Sequence, residues 1–342
     1  MPKNSSPLPS PAPAHSVGIR IAGTGMAVPR RVMTNADLAK TIDTTDEWIV
    51  QRTGIHERRL LEPGQSMRDL ARDAMAQALT NAGMQPTELQ FLILATCTPE
   101  MQVPSTAARV VAELGAAPAG AVDINAACSG FVYGLNLASA LIKSGVYRTV
   151  GVVGAEALSE LTDWKDRRTC ILFGDGAGAA VLTAEDDPRA GCVYQSMNSD
   201  GRQWHLIYAP RHAGHIPPGD KVFGGGYNTL QMNGREVFKF AVTTLLAAID
   251  KTLAASGVQA SDLAMLIAHQ SNLRIIEAAR ERLGLPAEKM YVNIDRLGNT
   301  SAASVPIALH ELVSAGKVKR GDLVMFLALG GGLTWASCLW RL

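Results

Sequence analysis

Asn81-Ala-Gly-Met-Gln-Pro-Thr-Glu-Leu-Gln-Phe-Leu-Ile-Leu-Ala95 returns 174 residues later as Ala255-Ser-Gly-Val-Gln-Ala-Ser-Asp-Leu-Ala-Met-Leu-Ile-Ala-His269. Each copy follows a stretch of helical periodicity, Ser66 to Ala82 and Val237 to Ala255, and each closes in an apolar run of strand length. Gly83 and Gly257 stand where the residue just past a helix belongs, because glycine adopts the left-handed conformation without a steric cost. One such match is weak, but the shift recurs. Thr149-Val-Gly-Val-Val153 falls on Leu323-Val-Met-Phe-Leu327, and the helical stretch after Cys128 falls on the one after Ala302. Three matches in one order and one register imply two copies of one α/β unit. Fully apolar strands between helices imply sheets covered on both faces. The expected architecture has five layers, αβαβα: two mixed sheets around shared central helices, with outer helices on each side. The halves are expected at residues 17–190 and 191–342. Residues 1–16, rich in Pro, Ser and Ala, read as a disordered leader lacking the apolar core of a secretory signal.

The chain has 342 residues, 47% hydrophobic and 18% charged, which describes a folded protein with a large core. A formal net charge of +1 gives no whole-molecule case for nucleic acid or a membrane surface. No apolar run reaches the roughly 18 residues of a membrane span. The five cysteines, 97, 128, 170, 192 and 338, are odd in number and widely spaced, which suits reduced thiols in a cytoplasm.

The duplication brings three distant residues towards one rim, where strand ends and helix starts converge. Cys128, in Asp123-Ile-Asn-Ala-Ala-Cys-Ser-Gly-Phe-Val-Tyr-Gly-Leu135, stands where a strand gives way to a helix N-terminus. His269 ends a strand of the second copy, and Asn299 precedes the helix equivalent to that after Cys128. A thiol at a helix N-terminus beside an imidazole is expected to have its pKa lowered from about 8.5 by two units or more. Asn donates hydrogen bonds without carrying charge, so beside a His donor it suits an oxyanion or enolate. Leu329-Gly-Gly-Gly-Leu-Thr334, after the last apolar strand, can bring a backbone N–H close to a ligand as part of an oxyanion hole.

Six segments then agree in order and spacing: Thr34-Asn-Ala-Asp-Leu38, Asp46-Glu-Trp-Ile-Val-Gln-Arg-Thr-Gly-Ile55, Phe173-Gly-Asp-Gly-Ala-Gly-Ala179, His269-Gln-Ser-Asn-Leu-Arg-Ile275, Gly298-Asn-Thr-Ser-Ala-Ala-Ser-Val-Pro306 and Gly330-Gly-Gly-Leu-Thr-Trp335. From about Gly18 to Leu342 the chain resembles β-ketoacyl-[acyl carrier protein] synthase III, a thiolase-fold condensing enzyme that starts bacterial fatty acid synthesis. The resemblance implies an acyltransferase that condenses an acyl-CoA starter with malonyl-[acyl carrier protein], needing no cofactor and acting as a homodimer. It implies that Cys128 carries the acyl group, that His269 and Asn299 stabilise the enolate formed as CO2 leaves, and that the amides of Cys128 and Gly331 form the oxyanion hole. It further implies that Trp48, Arg52 and Arg167 hold the CoA nucleotide. Acidic carrier protein would dock on Arg274, Arg280 and Arg282 of the helix after His269 and on Lys239, placed just before a neighbouring helix. Glu277 and Glu281 interrupt that patch.

Val103, in Glu100-Met-Gln-Val-Pro-Ser105, falls where relatives often carry a larger residue reaching across the dimer into the acyl pocket, and Leu329 replaces an aromatic common before the glycines. Together they imply a pocket for more than acetyl. The alternative is a same-fold enzyme of secondary metabolism, making a quinolone, polyketide starter or ester. Cys338 reads as strand filler, not the second cysteine of a thiolase. His205, His212 and His215 lie in a Gly/Pro-rich loop without further ligands in metal spacing, so no metal is expected. Gly174-Asp-Gly-Ala-Gly178 lacks the lysine and spacing of a phosphate loop and is assigned to close packing or a turn.

Overall fold

The repeat folds as two sheets. In the first, β1 (Gly18–Ala27), β2 (Phe91–Ala95), β3 (Gly120–Ile124), β4 (Thr149–Ala157) and β5 (Asp175–Glu185) lie in the order β1-β5-β4-β2-β3. In the second, β6 (Gly191–Ser199), β7 (Met265–Ala268), β8 (Leu323–Gly330) and β9 (Thr334–Arg341) lie in the order β6-β9-β8-β7, the same path as β1-β5-β4-β2, with no strand matching β3 among the described residues. Both sheets are mixed. β2 runs parallel to β3 and β4, and β7 parallel to β8, while β1–β5, β4–β5, β8–β9 and β6–β9 are antiparallel. This computed structural model describes residues 17–342 except Gly225, so the leader expected at 1–16 lies outside the described residues.

The longer helices are α1 (Asp46–Thr53), α2 (Met67–Ala82), α3 (Thr106–Leu114), α4 (Gly130–Lys143), α5 (Gly234–Ser256), α6 (Leu273–Leu283) and α7 (Ser304–Ser314). α2 and α3 cover the outer face of the first sheet, with Leu70, Met75 and Val110 against Leu92 and Val153. α4 and α7 fill the space between the sheets, where Phe131, Leu135, Val305 and Leu309 meet Ile93 and Val152 on one side and Ile267 and Phe326 on the other. α5 and α6 close the far side, placing Leu245, Ile249 and Ile276 on Met325, Leu327 and Leu339. These are the five layers expected. Because β4 and β8 are covered on both faces, every residue of β4 and all but the last of β8 are buried, and neither alternates polar with apolar.

The matching helix ends are also present: α2 stops at Gly83 with φ 68° and α5 at Gly257 with φ 70°. The Gly174–Gly178 run packs closely, as assigned, for a Cβ on Gly178 would come 2.6 Å from the Ile307 nitrogen of α7. One boundary differs. The periodicity starts α5 at Val237, but the helix begins at Gly234, because the Asn233 side chain caps it by accepting the Glu236 N–H. Lys239, expected just before a helix, lies inside α5 on either boundary.

Candidate functional site

After β3 the chain makes a short 3-10 turn, Ala127–Ser129, and enters α4. Ala127 is held at φ 46°, and the Asn125 side chain accepts its N–H at 3.1 Å. The second half repeats this turn 174 residues on: Ser301 sits at φ 48°, and Asn299 Oδ1 accepts its N–H at 2.8 Å. A left-handed conformation at two non-glycine residues is strained and persists where its surroundings over-determine it. In the first copy the turn presents Cys128 at the start of α4. In the second it commits Asn299 Oδ1 to the backbone, which leaves the Nδ2 amino group as the donor on the cavity side.

The Gly-rich segment closes on the same point. A Cβ on Gly330 would lie 2.7 Å from the Cys128 nitrogen and 2.9 Å from Ala126 O, so only glycine lets β8 end this close to the cysteine turn. Thr334 Oγ1 fastens the two by donating to Ala126 O at 2.8 Å. His269 follows β7, anchored by its N–H to Leu327 O at 2.7 Å, with Nδ1 2.7 Å from Ser304 Oγ. Cys128, His269 and Asn299 line one cavity with Phe173, Leu329 and Gly331, about 730 Å³ of empty space including its mouth. His269 and Asn299 are buried and Cys128 is half-buried.

Cys128, Phe173, Ile207 and Gly331 also line a second cavity, about 1280 Å³ of empty space, with Cys97, Leu158, Leu161, Tyr208 and Leu230. The thiol thus stands at the junction of two spaces. Leu329 faces the first, whereas Val103 is 82% exposed and lines neither.

The thiol is not depressed as the helix N-terminus and imidazole led us to expect. Burial pushes it up to about 12, against a hydrogen bond from Ser301 that favours the thiolate, and the nearby Glu156 carboxylate raises it further. Burial likewise lowers His269 to about 3. The resting pair is a neutral thiol and a neutral imidazole, because the cavity removes water that would solvate either charge. Glu156 went unnoticed in the sequence. It is fully buried and accepts from the hydroxyls of Thr96 at 3.1 Å, Thr98 at 2.7 Å and Ser301 at 2.9 Å, and from the Cys97 N–H at 3.1 Å. A lone acid within the apolar run of β4 was the available signal, since a buried carboxylate must be hydrogen-bonded.

At the cavity mouth Asn272 Nδ2 donates to Arg52 O at 2.8 Å, which joins the wall to α1. There Arg52 and Arg167 bring their guanidinium carbons 4.1 and 5.4 Å from the Trp48 ring centre, so the structure assembles this expected trio. Arg167 also pairs with Asp43. The docking set is less uniform. Lys239 and Arg274 are exposed and make no ion pair among the described residues, and Arg274 lies 5.1 Å over Phe238 of the cavity wall. Arg280 is tied to Glu277 and Leu285 O, and Arg282 to Asp250. Arg235, exposed in the first turn of α5, extends the unpaired patch and was not singled out in the sequence. The His212 and His215 rings lie 3.8 Å apart, and no group of three or more His, Cys, Asp or Glu among the described residues is placed to hold a metal.

Comparison with known proteins agrees along the chain. Residues 122–201 match the family described as 3-Oxoacyl-[acyl-carrier-protein (ACP)] synthase III, and residues 253–342 match its C-terminal family. The chain is 48% identical to β-ketoacyl-[acyl-carrier-protein] synthase III of Caldanaerobacter subterraneus subsp. tengcongensis, over 93% of this chain and 96% of that one. The crystal structure of 3-oxoacyl-[acyl-carrier-protein] synthase III from Aquifex aeolicus is similar with a TM-score of 0.88 and 46% identity, covering 95% of this chain and 100% of that one. The corresponding Thermus thermophilus structure gives 0.89 and 44%, covering 94% and 98%.

Proposed function

The chain belongs to the β-ketoacyl-[acyl-carrier-protein] synthase III family, with its thiolase-like fold, and from this we propose how its residues divide the work. The enzyme is an acyltransferase that condenses an acyl-CoA starter with malonyl-[acyl carrier protein], giving 3-oxoacyl-[acyl carrier protein] and initiating fatty acid synthesis. Identity to synthases of that name over nearly the whole chain favours this role over secondary metabolism. The half at 17–190 supplies the nucleophile, and the half at 191–342 supplies the imidazole, the amide and the Gly-rich turn.

Cys128 takes the acyl group as a thioester. The chain enters the second cavity, and the CoA arm lies in the first, with its nucleotide at Trp48, Arg52 and Arg167, where a ring can stack and guanidinium groups meet phosphate. After CoA leaves, the carrier protein docks its malonyl arm at the same mouth, beside Lys239 and Arg274, with Arg280 and Arg282 giving a weaker field because they are already paired. Asn299 Nδ2 and His269 hold the enolate oxygen as CO2 departs, and the carbanion attacks the Cys128 thioester. The amides of Cys128 and Gly331 hold the tetrahedral oxyanion, a contribution of order a hundredfold in rate per donor. No resident cofactor or metal takes part.

A second copy completes the acyl pocket. β3 is an edge strand with Val122 exposed, and Met101 and Val103 project nearby chain into solvent, which suits a homodimer in which Val103 crosses to the partner. With Val in place of a larger residue, the pocket admits more than acetyl. No helix among the described residues is long and apolar enough to cross a membrane, and the free cysteines suit the cytoplasm.

The observation that carries this reading is the meeting of Cys128, His269 and Asn299 in one cavity, with Cys128 also opening onto the second. The test is a panel of acetyl-, butyryl-, isobutyryl- and octanoyl-CoA with malonyl-[acyl carrier protein], scored by product mass, alongside Cys128→Ala with radiolabelled acyl-CoA. The variant should take up no label. Persistent covalent labelling sinks the assignment of Cys128, and an acetyl-CoA rate far above the others sinks the enlarged pocket.

A further inference from the structure

Ser304, the first residue of α7, is buried and has three polar neighbours. Its Oγ donates to Ser301 O at 2.9 Å, accepts the Gln270 N–H at 3.3 Å and lies 2.7 Å from His269 Nδ1. A hydroxyl has one proton. Ser301 O can only accept and Gln270 N–H can only donate, so a proton given to Ser301 O leaves Oγ nothing but lone pairs for the ring. Nδ1 must then carry a hydrogen. The reverse arrangement, with the hydroxyl donating to a bare Nδ1, gives up the bond to Ser301 O and makes one hydrogen bond fewer at a buried site.

The duplication singles out this contact. Ser304 and His269 correspond to Gly130 and Ala95, where a Cβ on Gly130 would lie 2.8 Å from the Ala95 Cβ. In one half the strand end and helix start meet through bare, close-packed backbone. In the other the same contact holds an imidazole and a hydroxyl.

We propose that Ser304 is a positioning residue that holds His269 in its Nδ1–H form, leaving a bare Nε2 for the cavity shared with Cys128. This rests on the condensing-enzyme reading above and deepens it. A thiol kept protonated by burial needs a base to take its proton as it attacks, and a bare Nε2 in the same cavity supplies one. In acyl transfer Nε2 takes the thiol proton as sulfur attacks the thioester carbonyl. When the C–S bond to CoA breaks, that proton leaves with the CoA thiol. Condensation consumes one proton: the malonyl C–C bond to the carboxylate breaks, CO2 departs, and the electron pair becomes the enolate. The new C–C bond forms, and the C–S bond to Cys128 breaks to leave a thiolate. A proton from water, admitted to Nε2, holds the enolate oxygen and then passes to that thiolate. Ser304 keeps the Nδ1 proton in place, so every transfer occurs at Nε2.

Nitrogen-15 NMR of the full-length histidine-labelled protein, with His269 assigned by its loss in His269→Ala, reads the tautomer with no substrate present. The wild type and Ser304→Thr should show a protonated Nδ1 and a bare Nε2, and Ser304→Ala should gain the Nε2–H form. In rapid-quench assays Ser304→Ala should slow acyl transfer to Cys128 by about tenfold to a hundredfold, less than the roughly hundredfold or more that a general base itself contributes, because the imidazole remains. CO2 release by the pre-acylated enzyme should fall far less, and Ser304→Thr should recover acyl transfer. An Nε2–H imidazole in the wild type overturns the proposal, as does equal slowing of both half-reactions in a folded Ser304→Ala. Should that variant not fold, the wild-type and Ser304→Thr spectra still decide. A wild type that never acylates Cys128 overturns the functional reading instead, and the spectra judge the tautomer independently.

Discussion

Lowering the pH from 7.5 to 5.0 should weaken the native state by a calculable amount through His269 alone. Burial places its pKa at about 3 in the folded chain, against 6.5 when unperturbed. The native value lies below the unfolded one, so as pH falls the unfolded chain takes the proton first. The stability held above pH 6.5 is lost through the window from 6.5 down towards 3. At pH 5.0 the unfolded imidazole is protonated and the native one is not, a gap of about 1.5 pH units, or about 2 kcal/mol at 1.36 kcal/mol per unit. Because pH 5.0 is well above the native value, the unfolded value sets the size. Carboxylates titrate over the same range, and subtraction of a His269→Ala variant removes their part. The assay is equilibrium urea unfolding of both proteins at equal concentration and at each pH. The difference in unfolding free energy should move by about 2 kcal/mol in the variant's favour on acidification. A difference that stays flat to within about 0.5 kcal/mol, the usual reach of an unperturbed surface site, would refute a neutral buried imidazole.

Gly330→Ala tests the approach of β8 to the cysteine turn: a Cβ 2.7 Å from the Cys128 nitrogen must move that turn. We expect overpacking of about 1–3 kcal/mol in thermal unfolding and a loss of about a hundredfold in Cys128 acylation; acylation within about threefold of wild type, a difference worth only about 0.7 kcal/mol of barrier, would show that the approach is not critical. Iodoacetamide should alkylate Cys128 of the resting enzyme at pH 7.5 at least about tenfold more slowly than free cysteine, with a rate still rising above pH 9, because the thiol is pushed up to about 12. A rate midpoint below about pH 7 would restore the depressed thiolate that helix and imidazole alone would give.

The layers were readable because burial on both faces leaves its mark in each strand separately. β4 and β8 are apolar without alternation, and one register shift aligned them before any contact was known. The start of α5 was misplaced because Asn233 stops the helix by a side-chain bond, whereas periodicity begins only where the apolar face does. The convergence of Cys128, His269 and Asn299 followed from the same shift. Their electrostatics did not, since desolvation belongs to the assembled cavity and to no local motif. Glu156 shows the limit well: one of its partners, Ser301, lies 145 residues away and belongs to the other half. The second cavity was equally hidden, being walled by pieces near Leu158, Tyr208 and Leu230 that no single pattern links.

The duplication explains why the site is asymmetric even though its backbone is not. Asn125 and Asn299 each accept the N–H two residues on, and Ala127 and Ser301 share the same left-handed turn. With the backbone held in common, function divides among side chains at equivalent positions. Cys128 answers to Ala302, Ala95 to His269, Gly130 to Ser304. Each reactive group thus faces a small counterpart, and that smallness lets the two turns close on one cavity. Gly154 is the sharpest instance: a Cβ there would come 2.2 Å from the carbonyl oxygen of Ala302, so β4 can lie beneath the second turn only without a side chain. Cys128 and His269 come to line one cavity because the opposite member of each of these pairs, Ala302 and Ala95, is small, whereas Asn299 keeps an asparagine, Asn125, as its counterpart.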